Sequence, residues 1–256
     1  MRSLYVSAAG LVLVVASSFA VQAADLGGYE SFKDAPPPAP RFTWSGVYGG
    51  LNAGGGWGKS KVTESGSFFT DDIVGNYASY NVNGFIGGLQ AGMNRQYGNW
   101  VLGGEFNLSG ANIDGSSGSC EFTGPSGGPL NVAQTCSTTV NWVASGLFKA
   151  GYAWNRWLTY GTVGWAVAGI DHKASYTDDD ITFAGAENET ADGIAFGGGV
   201  EYAFTNDMSF GVEYTRMNLK ADGDGFLPFS TASRDVDLNV VRAKLNFKLG
   251  PGSKLW

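Results

Sequence analysis

The stretch from Phe42 to Gly58, FTWSGVYGGLNAGGGWG, decides the fold. It combines strand-forming Trp, Val and Tyr with seven glycines, although glycine inside a strand normally weakens the strand. A membrane barrel explains the mixture, because the apolar face of each strand meets lipid while small residues on the other face fit into a narrow interior. The apolar face here is Val47, Leu51, Ala53 and Trp57, and the interior face is Tyr48, Gly50, Asn52, Gly54 and Gly56.

Seven further segments show the same two-residue alternation, which predicts strands. With the first, the predicted strands cover residues 47–57, 84–96, 100–110, 142–153, 157–170, 194–203, 209–219 and 236–249. The connections after the second, fourth and sixth strands are short, and those after the first, third, fifth and seventh are long. We therefore predict an all-β fold, an eight-stranded antiparallel up-and-down transmembrane β-barrel with short periplasmic turns and four long extracellular loops.

The N-terminus has the three parts of a secretory signal. Arg2 supplies a positive charge, residues 4–20 are almost wholly apolar, and small residues permit cleavage after Ala23. The following segment, DLGGYESFKDAPPPAPR, is predicted to be an extended, unpacked leader. The predicted organisation is a signal peptide at residues 1–23, a proline-rich periplasmic leader at 24–41 and an outer-membrane β-barrel at 42–256.

Charge and cysteine content exclude some classes of function. The net charge is −7 and the sequence shows no basic patch, which argues against a nucleic-acid partner because phosphate binding needs one. Cys120 and Cys136 are the two cysteines of a chain directed to an oxidising compartment, so we predict a disulfide worth on the order of 3 kcal/mol. Two cysteines and one histidine are too few ligands for a metal site.

Isolated charges interrupt the small, polar faces of the predicted strands. They are Glu105, Lys149, Glu201, Glu213, Arg242 and Lys244. Counted from the short turns, all of them fall in the periplasmic half of the barrel, and acids and bases cancel. We hypothesise a buried ionic ladder that crosses and blocks the lumen, because unpaired charges there would be costly. The alternative is a set of independent charges in a wet channel.

Aromatic residues lie near the ends of the predicted strands, where the interfacial girdles of a membrane barrel are found. The alternative role is that of ordinary core aromatics. The girdle candidates are Trp44, Trp57, Trp100, Trp142, Tyr152, Trp157 and Tyr202.

Four blocks of sequence, in order, carry a family resemblance. They are WSGVYGGLNAGGGWG, GLFKAGYAWNRWLTYGTVGWAVAG, GGGVEYAFTNDMSFGVEYTRMNL and VRAKLNFKLG. The chain resembles the small opacity-type outer-membrane β-barrel proteins of alphaproteobacteria, which are often labelled porins. It departs from them at Lys149, where the family commonly has arginine, and in the terminal extension PGSKLW. The resemblance implies a protein of the cell outer membrane of a Gram-negative bacterium.

The same resemblance implies a role in envelope integrity and in surface interaction through the extracellular loops. The implied partners are outer-membrane lipid and lipopolysaccharide, with a host or surface ligand at the loops. The loops are acidic, for example at Asp71, Asp178 and Glu189, which either keeps the surface soluble or attracts cations and basic partners. The alternative functions are a small diffusion porin and a haemin-binding surface protein.

We predict that the protein is not an enzyme, with no catalytic residue and no resident cofactor. His172 is the single histidine, and it stands beside Asp171 at the outer end of the fifth predicted strand. A lone histidine at the base of a loop is more often a rim residue than a general base. Some relatives of the resembled family are associated with haemin binding, so His172 is the candidate haemin ligand.

Overall fold

The structure, a computed structural model, describes residues 42–68, 71–117, 133–178, 181–224 and 230–250. These residues form eight antiparallel strands that close into a barrel in chain order, which confirms the predicted fold. In the described part of the chain, no helix is long and apolar enough to cross a membrane. The strands are β1 (Gly46–Phe68), β2 (Asp71–Tyr97), β3 (Trp100–Ser117), β4 (Ala133–Trp154), β5 (Trp157–Asp178), β6 (Ile181–Ala203), β7 (Met208–Asp224) and β8 (Ser230–Leu249).

The register of the strands determines how narrow the barrel is. Following the paired residues from Tyr48 around all eight strands leads back to Gly58, ten residues further along β1. An eight-stranded barrel with such a stagger has strands tilted by roughly 35–45° and an interior just wide enough for side chains. Inward-facing side chains from strands that are not neighbours therefore come within reach of one another.

The strands are longer than the alternation predicted. β1 continues to Phe68 and β2 begins at Asp71, although residues 58–83 were predicted to be a loop. The other three long connections are likewise shortened by continued strand pairing. Beyond the membrane the outer face meets water, so the apolar alternation fades there while the backbone hydrogen bonds of the ladder continue.

The two faces of the opening stretch lie as predicted, but those of β5 do not. Tyr48 and Asn52 are buried in the interior, whereas Leu51 faces outward and is exposed. Leu158 and Tyr160 share one face of β5, which an assignment of apolar faces to lipid would turn outward, and both are buried inside the barrel. Leu158 packs there with Val101 and Ala203, whereas the hydroxyl of Tyr160 reaches the carboxylate of Glu213.

The exposed aromatic residues form two belts that bound the apolar outer face. At the periplasmic end, the rings of Trp100 and Tyr152 meet edge to face with centroids 5.5 Å apart, and those of Trp157 and Tyr202 are 4.7 Å apart. The outer belt contains Trp57, Trp142 and Trp165. We call these the periplasmic girdle and the outer girdle.

Trp44 was predicted to be a girdle residue, and that prediction is wrong. Its side chain is only 6% exposed and packs inside the periplasmic mouth with Val101, Leu158 and Ala203. The ring of Phe42 meets it edge to face at 5.1 Å. The segment before β1 therefore folds across the opening of the barrel instead of reaching the lipid interface.

Candidate functional site

Two lysines bind three carboxylates at the periplasmic third of the lumen. Lys149 Nζ donates to Glu105 Oε2 and to Glu201 Oε1, both at 3.0 Å. Lys244 Nζ donates to Glu213 Oε2 at 3.0 Å and also to Glu105 Oε1. Glu105 therefore links the two lysines, and we call these five residues the charge cluster. All five side chains are at most 2% exposed.

Two tyrosines support the charge cluster. The hydroxyl of Tyr48 donates to Glu105 Oε2 at 2.7 Å, and that of Tyr160 donates to Glu213 Oε2 at 3.0 Å. Lys149 Nζ lies 4.2 Å from the centroid of the Tyr160 ring, within the range of a cation–π contact. The sequence offered a signal for the inward direction of Tyr160. Its face of β5 alternates with the face that carries the girdle residues Trp157 and Trp165.

The carboxylates receive further hydrogen bonds from neutral side chains. These bonds matter because buried charges are costly unless they are both paired and hydrogen-bonded. The neutral donors are Asn107 to Glu105 at 3.1 Å, Asn246 and Ser209 to Glu201 at 3.2 and 3.3 Å, and Thr215 to Glu213 at 3.3 Å. Each acid of the cluster is thus held by at least one ammonium and one neutral donor.

Arg242 was predicted to belong to the ionic ladder, but the structure leaves it outside the bonded cluster. Its side chain is buried, and its Nε atom has no hydrogen-bond partner among the described residues. In the strand register Arg242 lies opposite Glu213 on one side and Gly54 on the other. Glu213 instead accepts hydrogen bonds from Lys244 and Tyr160. Pairing of Glu213 with Arg242 in the strand register therefore did not decide which base the carboxylate bonds.

A polar layer with Ser60, Thr138 and His172 lies at the outer end of the lumen. The layer between it and the charge cluster is apolar, although we expected glycine, serine and asparagine to fill it. The side chains there form an apolar core under the outer end of the barrel. We call it the outer apolar cluster. Its largest fully buried members are Ile86, Ile113, Ile170, Met217, Leu219 and Leu238. Most of them alternate with small or polar outward residues, such as Asn112 and Asp114 beside Ile113, so the pattern along these strands was too mixed to reveal them.

The periplasmic side of the charge cluster is less completely closed. A cleft opens there, and its lining includes Trp44, Asn94, Glu201 and Lys248. The Nε1 atom of Trp44 and the Oδ1 atom of Asn94 are buried without a hydrogen-bond partner among the described residues. Glu201 can thus be approached from the periplasm, while the outer apolar cluster covers the opposite side of the charge cluster.

His172 lies inside the barrel rather than at its rim. It is on β5, seven residues beyond Trp165 of the outer girdle, and therefore outside the membrane-spanning part of the strand. Its Nδ1 atom is 3.0 Å from Thr138 Oγ1, and Nε2 is buried without a partner among the described residues. Burial, assisted by the charge of Arg234, lowers the pKa of the imidazole to about 4. A macrocycle such as haemin would reach this nitrogen only if the outer end opened, and ligation by His172 stays a prediction.

The remaining predictions concern a loop acid, a metal site, the disulfide and the terminal segments. Glu189, predicted to be a loop acid, lies on β6 and forms an ion pair with Arg234 of β8 inside the outer end of the barrel. Among the described residues, no three His, Cys, Asp or Glu side chains group to hold a metal ion. Cys136 is on β4, but Cys120 lies outside the described residues, so the disulfide stays a prediction. The predicted signal peptide, the leader and the terminal PGSKLW also lie outside them.

Comparison with known proteins agrees with this architecture. Residues 11–248 match the outer membrane protein beta-barrel domain. The chain belongs to this family. It is therefore a protein of the bacterial outer membrane, as predicted, and the resemblance to alphaproteobacterial outer-membrane barrels is confirmed.

Relatives in this outer-membrane β-barrel family come from alphaproteobacteria. The 31 kDa outer-membrane immunogenic protein of Brucella melitensis is 32% identical over 91% of this chain and 96% of its own length. The 22 kDa outer membrane protein of Rhizobium leguminosarum bv. viciae is 28% identical over 83% and 81%. Among solved structures, the outer membrane protease OmpT of Escherichia coli matches 83% of this chain and 99% of its own, with 9% identity and a TM-score of 0.47. That likeness carries nothing about activity.

Proposed function

We propose that this chain is a closed, non-enzymatic barrel that contributes to the integrity of the outer membrane and presents its outer hairpins for surface contact. The observation that supports closure is the bonding of Lys149 and Lys244 to three carboxylates across the lumen. An ion that crossed this level would have to displace buried pairs, which is costly. The outer apolar cluster adds a second barrier, because an apolar constriction excludes hydrated ions.

Strand pairing beyond the outer girdle supports the surface role. β1 and β2 stay paired from Trp57 and Asn83 out to Phe68 and Asp71, so this hairpin projects beyond the apolar band. The Brucella melitensis relative is named an immunogenic protein, and we infer that this chain also exposes its outer hairpins at the cell surface. Lipopolysaccharide and a host or surface ligand are the partners we propose for this region.

Conductance of the refolded barrel in a planar lipid bilayer tests closure. We expect no discrete current steps from the wild type, with an open porin in the same bilayer as the positive control. The variant Ile113→Gly/Leu238→Gly trims the outer apolar cluster, and Leu102→Gly/Leu108→Gly is its matched lipid-facing control. Ionic current through the first variant but not through the control would support the outer apolar cluster as a barrier to ions. Reproducible steps from the wild type would replace the proposal with a diffusion porin.

Complementation of a deletion strain separates the structural role from the surface role. We expect the strain to become sensitive to detergent and the full chain to restore resistance. A variant whose first hairpin is shortened, with Ser60 joined to Tyr80 by a two-residue turn, should restore resistance but lose binding of antibodies raised against that hairpin. A deletion strain with unchanged detergent resistance would exclude the role in envelope integrity.

A further inference from the structure

The periplasmic mouth of the barrel contains a cleft whose walls carry charges of both signs. It lies directly on the periplasmic side of the charge cluster, because Glu201 belongs both to that cluster and to the wall of the cleft. The charged lining is Glu201, Asp207 and Lys248, and the apolar lining includes Phe42, Tyr48 and Met208. We call it the periplasmic cleft.

The charge cluster behind this cleft has one negative charge in excess. Its three carboxylates share two ammonium groups, and the one that bonds Glu201, that of Lys149, also bonds Glu105. Arg242 would balance the excess, but it lies two residues further toward the outer end of β8 than Lys244, away from the cleft. A carboxylate offers about four acceptor positions, and Glu201 accepts from Lys149, Ser209 and Asn246. The cleft therefore presents a carboxylate that lacks a full counter-charge and can accept one more donor.

Lys248 supplies a positive charge on the same cleft, and its ammonium group is only partly used. Its Nζ atom donates to the backbone oxygen of Thr43 and lies 5.3 Å from the centroid of the Phe42 ring. An ammonium group has three N–H donors. Donors of Lys248 are therefore left for a ligand that offers an acceptor.

Two neutral side chains of the lining have a buried polar atom without a partner. Trp44 and Asn94 are 6% and 8% exposed, and within the described ranges neither Nε1 of Trp44 nor Oδ1 of Asn94 has a hydrogen-bond partner. The backbone of Trp44 is fixed, since its N–H donates to Gln96 Oε1 at 2.8 Å. A buried polar atom without a partner is costly. The lining thus lacks one acceptor, for the indole N–H, and one donor, for the amide oxygen.

We propose that the periplasmic cleft binds the zwitterionic head group of a small α-amino acid. The ammonium group of the ligand donates to Glu201 and to Asn94 Oδ1, and its carboxylate accepts from Lys248 and from the indole N–H of Trp44. A ligand with only one of the two charges would satisfy only one side of this set. The site lies on the periplasmic side of the charge cluster, so it does not depend on whether the lumen conducts.

NMR spectroscopy of the refolded full chain with ¹⁵N-labelled tryptophan tests the proposal. The indole signal of Trp44 is identified by its absence from the variant Trp44→Phe. Glycine is titrated at constant ionic strength, and methylamine and acetate, which each carry one half of the head group, are titrated in the same way. We expect glycine to shift the Trp44 signal saturably. Either fragment should bind at least roughly tenfold more weakly, because each fragment loses a set of charged hydrogen bonds.

Two variants separate the two ends of the ligand. Lys248→Met should weaken glycine binding roughly tenfold, and Lys248→Arg, which keeps the charge, should restore binding. Glu201→Gln leaves the contact between Lys248 and Thr43 in place, and it should weaken binding of glycine and methylamine but not of acetate. The matched control, Lys173→Met, removes a positive charge from an exposed position on β5 and should bind glycine as the wild type does.

Three results would overturn the assignment. A Trp44 signal that glycine does not shift would show that the cleft does not take the head group. Acetate bound as tightly as glycine would show a simple anion site in which Glu201 has no part. An equal loss of glycine binding in Lys173→Met and Lys248→Met would show that net charge, and not a contact in the cleft, determines binding.

Discussion

Lys244 and Glu105 form an ion pair across the lumen, between strands β8 and β3, which share no hydrogen-bonded edge. Both side chains are fully buried. Because Glu105 also bonds Lys149, one carboxylate connects two lysines that come from different parts of the wall. These bonds form only when the barrel is closed, so the stability of the closed barrel should depend on them.

Removal of Lys149 should destabilise the barrel strongly. The change Lys149→Met leaves Glu201 without an ammonium partner and deprives Glu105 of one of two. Breaking one side of a buried ion pair costs about 3–5 kcal/mol. The measurement is the free energy of unfolding in urea of the barrel refolded in lipid vesicles. Lys59→Met, at an exposed position, is the control and should cost less than about 1 kcal/mol. Equal losses of unfolding free energy in the two variants would show that the ion pairs of Lys149 do not stabilise the barrel.

Removal of Arg242 should cost less than removal of Lys149. Arg242→Met keeps most of the volume of the side chain and breaks no hydrogen bond at the buried Nε atom. Because no carboxylate loses a bonded ammonium group in this variant, we expect a cost below the roughly 3–5 kcal/mol of a broken buried ion pair. The measurement is again unfolding in urea, and the comparison is Lys244→Met, at the next inward-facing residue of β8. A loss as large as that of Lys244→Met would mean that Arg242 neutralises Glu213 without contact.

Gly54 should tolerate no side chain, while its neighbour Gly55 should. A Cβ atom at Gly54 would lie 2.0 Å from the carbonyl oxygen of Val241, on the β8 edge that closes the barrel. At Gly55 the nearest heavy atom would be 3.7 Å away. We expect Gly54→Ala to reduce the fraction of refolded barrel that resists heat in gel electrophoresis, and Gly55→Ala to leave it unchanged. Equal behaviour would contradict a tight closure at this pair.

Acidification should destabilise the outer end of the barrel through His172. Its pKa falls from the ordinary 6.5 to about 4 in the folded state because the ring is buried, so below pH 6.5 the unfolded chain binds the proton more readily. The stabilisation is complete above the unfolded pKa and is lost as the pH falls toward 4, by on the order of 2 kcal/mol at about pH 5. Hydrogen exchange of the amides around Thr138 measures this.

The matched control for that experiment is His172→Asn, which removes the titrating group and keeps a polar side chain. Between about pH 7 and about pH 5 its outer amides should change less than those of the wild type. Thr138, Arg234 and Asp171 face or adjoin the ring. An identical pH response in the two proteins would assign the effect to other groups.

Alternation along the chain was enough to predict most of the membrane-spanning fold. In β1 Tyr48 faces inward and Leu51 outward, and in β3 Glu105 faces inward and Phe106 outward, as predicted. The prediction failed at Tyr160 and at Trp44, where apolar side chains turn inward. Residue type reports the solvent of a face only when the two faces differ, and Trp44 packs in an interior that is as apolar as lipid. Tyr160 is ambiguous for another reason, because its hydroxyl bonds Glu213 while its ring is apolar.

By itself, the sequence determined the number of strands, the inward and outward faces of most of them and the presence of charges in the periplasmic half of the lumen. These are local properties, because side chains alternate with a period of two and each face meets one kind of solvent. Only the tertiary structure decided that Lys244 bonds Glu105, that Arg242 stays outside the charge cluster and that an apolar layer fills the lumen beyond that cluster. These contacts depend on the ten-residue stagger, which brings side chains from non-neighbouring strands to one level.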